Sequence, residues 1–326
     1  MDGKPDDAIS ASPWHAGEVA MQRSAGMAER MDSVGRKVLR PFMPDQHREF
    51  FAQLPFVVLG AVDAAGDAWA TLRAGRPGFL DSPDPQRLDV ALPREPLDPA
   101  DAGMGQGASI GMLGIELHTR RRNRMNGKVR RTKDGSEGFQ VEVQQSFGNC
   151  PQYIQLRDFE FTSQVSAPPE ELPALDEAAC ALISNADSFY VATYVDLADG
   201  ARQVDVSHRG GKRGFVRMDA EGTLTVPDFM GNMFFNTLGN IALNPRAGLA
   251  FVDFDSGSLL QMSGTAELLL DAQAAPELAT FEGAERLWRF KPGRIVRREA
   301  ALPLRWHTEA NGASPSSLRT GSWPAV

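Results

Sequence analysis

Short apolar runs, rich in Val, Ile, Leu and Phe, alternate along this chain with turns built from Gly, Pro, Asp and Asn. Residues 56–62 (FVVLGAV) read as a buried strand, Asp63-Ala64-Ala65-Gly66-Asp67 as a hairpin turn and AWATLRA as the return strand. SFYVATYVD and ARQVDVS, within 188–207, form a second hairpin, and a further strand is expected over 138–145. The runs TLTVPDF, RAGLAFVDF and LLQMSGTAEL also alternate or bury β-type residues. Between them, Ser207-His208-Arg209-Gly210-Gly211-Lys212 and Pro227-Asp228-Phe229-Met230-Gly231-Asn232 read as two polar loops. Helical patterning is confined to short stretches. One runs over 18–31 behind a Ser12-Pro13 start, a second begins near Asp45, a third is LDEAACALISNA, and a fourth is FFNTLGNIALN.

The pattern predicts a mainly β protein with short helices (α+β) and divides the chain. Residues 1–40 form an N-terminal helical arm, 41–162 a first unit, 163–175 a Pro-, Ser- and Glu-rich linker, 176–308 a second unit and 309–326 a mobile tail. Within the first unit, 81–102 is loop-like apart from RLDVAL. The two units match. FVVLGAVDAAGDAWATLRAGRPGFL lines up with FYVATYVDLADGARQVDVSHRGGKRGFV, which sets Arg73 opposite Arg209. Leu113-Gly114 is paired with Leu238-Gly239, and Met125-Asn126-Gly127 with Met262-Ser263-Gly264. Ordered matches across several elements favour duplication over chance, with the copies packed as a pseudo-dimer.

Composition narrows the function classes. With 326 residues, 42% hydrophobic and 23% charged, the chain can build a sizeable core. A net charge of −8 argues against a nucleic-acid binder and makes local basic clusters read as specific anion sites. No apolar run reaches the roughly 18 residues of a membrane span. The polar start MDGKPDDAIS lacks a signal-peptide layout, so a cytoplasmic location is expected. Cys150 and Cys180 offer neither a disulfide framework nor a zinc site. No HExxH, CxxC, GxSxG or P-loop is present, so no metal and no serine nucleophile is expected.

The second unit resembles the pyridoxamine 5′-phosphate oxidase superfamily, the FMN-binding split β-barrels. The resemblance rests on S-x-R-G…G-F-V in VDVSHRGGKRGFV, on P-D-x-x-G-N in PDFMGN and on N-x-x-x-N-P-x-x-G-L in NIALNPRAGL. In the first unit SPWHAGE, MPDQHREFF, LHTRRRNRMNG and QSFGNCPQYI resemble the N-terminal module of proteins that fuse such a domain to a flavin/iron–sulfur reductase. The match spans about 12–308. It implies two tandem split β-barrels with FMN bound between them, serving hydride or electron transfer to a small substrate, with a small-molecule substrate or a nicotinamide electron donor as the partner. No reductase sequence follows, so a separate reductase partner or a homodimer is expected.

Site residues follow from the same resemblance. Ser207, Arg209 and Lys212, with His208 and Gly211 in the same loop, are candidates for the FMN phosphate or ribityl chain. Gly210-Gly211 permits close backbone approach, and Arg and Lys suit a phosphate. Asn232, Asn236, Thr237 and Asn240 stand at the helix entrance, where Asn also serves as cap or turn residue. Gln261 matches a glutamine that contacts the flavin ring. Gln145, Ser146, Asn149 and Cys150 are the expected contribution of the other unit. The basic run 120–124 is either a solvated strand or loop, or a site for the phosphate of a second ligand or nicotinamide cofactor. Arg305-Trp306-His307 resembles an Arg-x-His substrate pair. Two alternatives share the fold: a non-catalytic flavin or haem binder, for which His118 is the ligand to test among the five histidines, and a deazaflavin-dependent reductase.

Overall fold

The computed structural model describes residues 12–131, 138–270 and 275–324; the polar leader MDGKPDDAIS and the last two tail residues lie outside them. Two helices form the arm, α1 (Ala16–Ser24) and α2 (Ala28–Val38). The single helix expected over 18–31 is broken because Gly26 takes a left-handed φ of 67° between them. After α3 (Asp45–Ala52) come β1 (Phe56–Val62), β2 (Ala68–Ala74), β3 (Leu80–Asp84), β4 (Arg87–Val90), a 3-10 helix (Pro99–Gly103), β5 (Ser109–Glu116), β6 (Arg121–Arg131), β7 (Phe139–Gly148) and β8 (Arg157–Phe161). β9 (Glu170–Leu172) lies in the linker segment, and α4 (Glu177–Asn185) starts on the side chain of Asp176, which accepts from Ala179 N. Then follow β10 (Ser188–Asp196), β11 (Arg202–Gly210), β12 (Arg217–Met218), β13 (Leu224–Phe229), α5 (Asn236–Leu243), β14 (Arg246–Asp253), β15 (Ser258–Leu269), β16 (Ala284–Arg298) and β17 (Leu304–Thr308).

The strands build two large open antiparallel sheets, β9 adding to the second at β16, and β8 pairs with β17 in a small third sheet. The first runs β2-β1-β5-β6-β7-β4-β3, the second β11-β10-β14-β15-β16-β13-β12. Counted from β10, the second order repeats the first. Registers repeat too: Met112 faces Met125 across β5–β6 as Leu249 faces Met262 across β14–β15. A bulge at Asn126/Gly127 has its counterpart at Ser263/Gly264. The pairing of Leu113-Gly114 with Leu238-Gly239 does not carry over. The former lies in β5 and the latter in α5, whose place between the fourth and fifth strands is taken in the first half by the 3-10 helix.

The three largest apolar clusters hold the molecule. One fills the first half around Phe51, Trp69 and Met125, one fills the second around Phe189, Phe251 and Trp288, and a third joins the halves through Phe56, Leu113, Tyr190, Val206 and Trp306. At the joint the backbones nearly touch. A Cβ on Gly111 would stand 2.9 Å from the carbonyl oxygen of Val204, and one on Gly248 would stand 2.2 Å from that of Ala68. These two contacts are counterparts of each other, as in an isologous interface.

Two expected loops are strand instead. Ser207 to Gly210 complete β11, and Pro227 to Phe229 complete β13. The tail also differs from the expected mobile segment. Trp323 donates from Nε1 to the carbonyl of Phe215 at 3.1 Å and packs on Phe281 with ring centroids 4.5 Å apart, so its apolar ring anchors the stretch. Among the described residues no helix is long and apolar enough to cross a membrane.

Candidate functional site

Between the halves a cleft opens to solvent, lined by residues of both. The first half supplies β6 and the segment after β7; the second supplies β11, β13, the loop into α5 and the start of β16. Residues two apart on a strand share a face, so β6 sends Arg122 and Arg124 to the cleft together. β11 brings Ser207 and Arg209 by the same alternation. The loop before α5 turns through left-handed Met233 and Phe235, with φ of 63° and 60°, and this sets Asn236 and Thr237 at the cleft wall.

Arg124 is the hub. Its guanidinium donates to Asn236 Oδ1 at 2.7 Å and to Ser207 Oγ at 2.6 Å, and pairs with Asp205 at 2.8 Å. Thr237 Oγ1 lies 3.0 Å from Ser207 Oγ. Behind the wall, Asn236 Nδ2 donates to Glu18 Oε1 of α1 at 2.5 Å. Burial pushes the Glu18 carboxyl up to about 8, against the opposing bonds from Asn236 and His15. Helix α1 reaches this point because Gly17 and Gly239 let it lie on α5 in backbone contact.

The cations of the cleft are unequally matched. Arg209 and Arg286 share Asp228, at 2.6 and 3.0 Å. Arg122 has no carboxylate partner among the described residues: it donates to the carbonyl of Cys150 at 2.6 Å and stands 3.2 Å from His208 Nδ1. Burial, with Arg124 and Arg209 nearby, lowers its pKa to about 10, so it stays charged near neutrality. His208 is held well below its ordinary value by burial and then by Arg122; it is neutral and accepts from the guanidinium. Four buried polar atoms of cleft residues lack a protein partner: Arg124 Nε, Arg209 Nε, Asn149 Oδ1 and Gln152 Oε1. Aromatic faces complete the lining. Tyr153 stacks on Phe229 with centroids 5.4 Å apart, and Arg286 covers the ring of Phe235 at 4.7 Å.

Of the residues named from sequence, Ser207, His208, Arg209, Asn232, Asn236, Thr237, Asn149 and Cys150 line the cleft. The others lie outside it. Lys212 falls in the turn beyond β11, where its backbone N–H donates to Thr320 Oγ1, and Gly211 is packed against Phe215. Asn240 is turned to Thr193 inside the fold. Ser146 is buried against His47, and Gln145 sits at the β6–β7 bulge, half-buried. Gln261 is directed by the register of β15 into the opposite side of the joint, where it donates to the carbonyl of Ala70. His118 is exposed beside Phe159, and Arg305 and His307 are exposed on β17. Sequence reasoning did not single out Tyr153, Gln152 or Arg286 as site residues. It left Arg122 and Arg124 inside an undivided basic run, where the period-two alternation of a strand was the signal available.

No protein-family profile and no curated protein matches the chain. Solved structures do. A candidate pyridoxamine 5′-phosphate oxidase from Lactobacillus delbrueckii is 21% identical, covering 38% of this chain and 97% of its own, with a TM-score of 0.31. The FAD binding protein from Mycobacterium smegmatis is 15% identical over 39% of this chain and 98% of its own, with a TM-score of 0.27. HutZ, the heme storage protein from Vibrio cholerae, is 13% identical over 39% of this chain and 95% of its own, with a TM-score of 0.26.

Proposed function

We propose that the cleft binds the phosphate and ring of a flavin mononucleotide, and that the chain is a flavin-dependent oxidoreductase acting on a small molecule. The observation that carries the reading is Arg122: a half-buried arginine without a carboxylate, facing a cleft where Arg209 keeps an unpartnered Nε. Such cations call for an anion, and a phosphate supplies close to two negative charges and several acceptors. Arg122, Arg209 and Ser207 hold the phosphate in this reading. Asn149, Gln152 and Asn232 offer the amide groups that suit the uracil-like edge of the ring, while Tyr153, Phe229 and Phe235 offer flat apolar faces.

A bound flavin supplies reversible hydride or electron transfer; the protein holds it, orients it and sets the charge around it. Among the described residues the walls show no paired acid and base: His208 is neutral and engaged by Arg122, Asp228 is tied by two arginines and Glu285 is paired with Arg286. The coincident strand orders, registers and bulges support descent of the halves from one duplicated unit.

The test is an absorption spectrum of the purified full chain, with mass analysis of the released ligand, followed by anaerobic addition of NADPH or NADH. A flavin spectrum with FMN released, bleached by the nicotinamide, is the expected result. Flavin that is never reduced by any donor would leave a binding protein. A Soret band or a released deazaflavin would replace the cofactor, and a colourless chain that takes up no added flavin would end the proposal.

A further inference from the structure

The repeated registers give the cleft positions on β6 and β11 counterparts in the other half. Thr71 faces Leu59 as Ser207 faces Val191, and Arg73 faces Val57 as Arg209 faces Phe189. Gln261 faces Ala250 as Arg124 faces Leu113, and Leu259 faces Val252 as Arg122 faces Ile115. Thr71, Arg73 and Gln261 therefore outline a second cradle, related to the cleft by the pseudo-twofold. A recess remains there, lined by Leu72, Arg73 and Ala74, the counterparts of His208, Arg209 and Gly210.

The floor of this second cradle is filled by the chain itself. Asp98, the residue before the 3-10 helix, is fully buried. Its Oδ1 accepts from Ala100 N at 3.0 Å and from Gln261 Nε2 at 3.2 Å. Its Oδ2 accepts from Thr71 Oγ1 at 2.6 Å and lies 3.1 Å from Arg298 and 3.8 Å from Arg73. Glu95 pairs with Arg73 at 3.1 Å and also with Arg298, and Asp101 with Arg94 and, at 3.8 Å, with Arg73. A backbone N–H, a hydroxyl, an amide and two guanidiniums converging on one carboxylate are the donor set of an oxyanion site.

The charges are exchanged between the two cradles. In the cleft the cation is on the strand and the neutral amide is at the helix entrance: Arg124 donates to Asn236. In the counterpart the amide is on the strand and the carboxylate is at the helix entrance: Gln261 donates to Asp98. Where the cleft has the unmatched Arg122, the counterpart has Leu259.

We propose that the first half carries an anion-binding pocket, built to take a phosphate-type group, that is occupied by the chain's own Asp98 and Glu95, so that each chain keeps one open anion site rather than two. The proposal does not depend on which ligand the cleft holds. Asp98 stands in for the anion, covalently supplied and at fixed effective concentration.

Equilibrium dialysis of the full chain against radiolabelled inorganic phosphate at constant ionic strength tests this. Arg122→Ala is the reference, since it weakens the cleft and leaves the plug untouched. Adding Glu95→Gln and Asp98→Asn to it creates a phosphate site absent from the reference, tighter by roughly tenfold or more, which a further Arg73→Ala removes. A folded chain with these substitutions that binds no more phosphate than the reference overturns the proposal, as does a wild-type chain that binds phosphate at the Arg73 cradle. Should the double replacement fail to fold, Glu95→Gln alone, at a carboxylate only about a third exposed, is read by its melting temperature. A rise of about 3 °C with phosphate, beyond that of the reference, supports the pocket, and an unchanged temperature rejects it. A colourless wild-type chain would sink the flavin reading and leave these results standing.

Discussion

Arg124 and Ser207 lie 83 residues apart in sequence, and their side chains meet at 2.6 Å, the first half donating to the second. The same guanidinium neutralises the buried Asp205. Replacing Arg124 with Ala leaves that carboxylate without its cation. We expect a loss of about 3–5 kcal/mol of stability, read in urea unfolding, together with loss of the cleft ligand. A variant as stable as the wild type would show that Asp205 finds another partner.

Arg122 is the contrasting case, because among the described residues no carboxylate depends on it. Arg122→Ala should unfold within about 1 kcal/mol of the wild type and lose roughly tenfold or more in affinity for FMN in a fluorescence titration. The wild type should lose affinity as salt is added more steeply than the variant. Equal salt slopes would argue that Arg122 does not face the ligand's charge.

Glu18 links the arm to the cleft through Asn236, and its carboxyl is raised from an ordinary 4.5 to about 8. The folded state therefore holds a proton that the unfolded state releases near 4.5. Stability from this group is fully present below about 4.5 and is lost as pH rises through about 8, with a slope of at most about 1.4 kcal/mol per pH unit. Glu18→Gln should flatten the stability profile between pH 5 and 8, by about this slope at its steepest. Parallel wild-type and variant profiles would refute a protonated Glu18.

The contact between α1 and α5 gives a steric prediction. A Cβ on Gly239 would stand 2.6 Å from the backbone nitrogen of Glu18, and backbone cannot swing aside. Gly239→Ala should cost about 1–3 kcal/mol and weaken ligand binding by displacing Asn236, the first residue of α5. Thermal unfolding and titration of the same sample check both effects, and a variant neutral in both would mean that α1 moves freely.

The hairpins were legible because period-two alternation, β-branched runs and Gly or Asp turns all agree at Phe56–Val62 and Ser188–Asp196. Ser207 and Arg209 were legible from their polar, glycine-bearing stretch and the resemblance that it carries, although they stand on β11 and not in a loop. Arg122 and Arg124 were obscured because a basic run ordinarily faces water; only their place on a strand separates them from exposed Arg121. Gln261 shows the opposite failure. Its residue type suits a ring contact, but the register of β15 delivers it to the plugged side, and register is set by pairing across the sheet. Tyr153 and Arg286 carry no local signature, since their role arises from two distant segments meeting at one cleft.

The reciprocal contacts at Gly111 and Gly248 have a bearing on how the halves can change. In an assembly of two identical chains, one altered codon would alter both contacts, and both pockets, at once. Joined in a single polypeptide, each contact is encoded separately, and a substitution lands on one side only. Asp98 can therefore seal its own pocket while Asn236, at the corresponding place, leaves the other free.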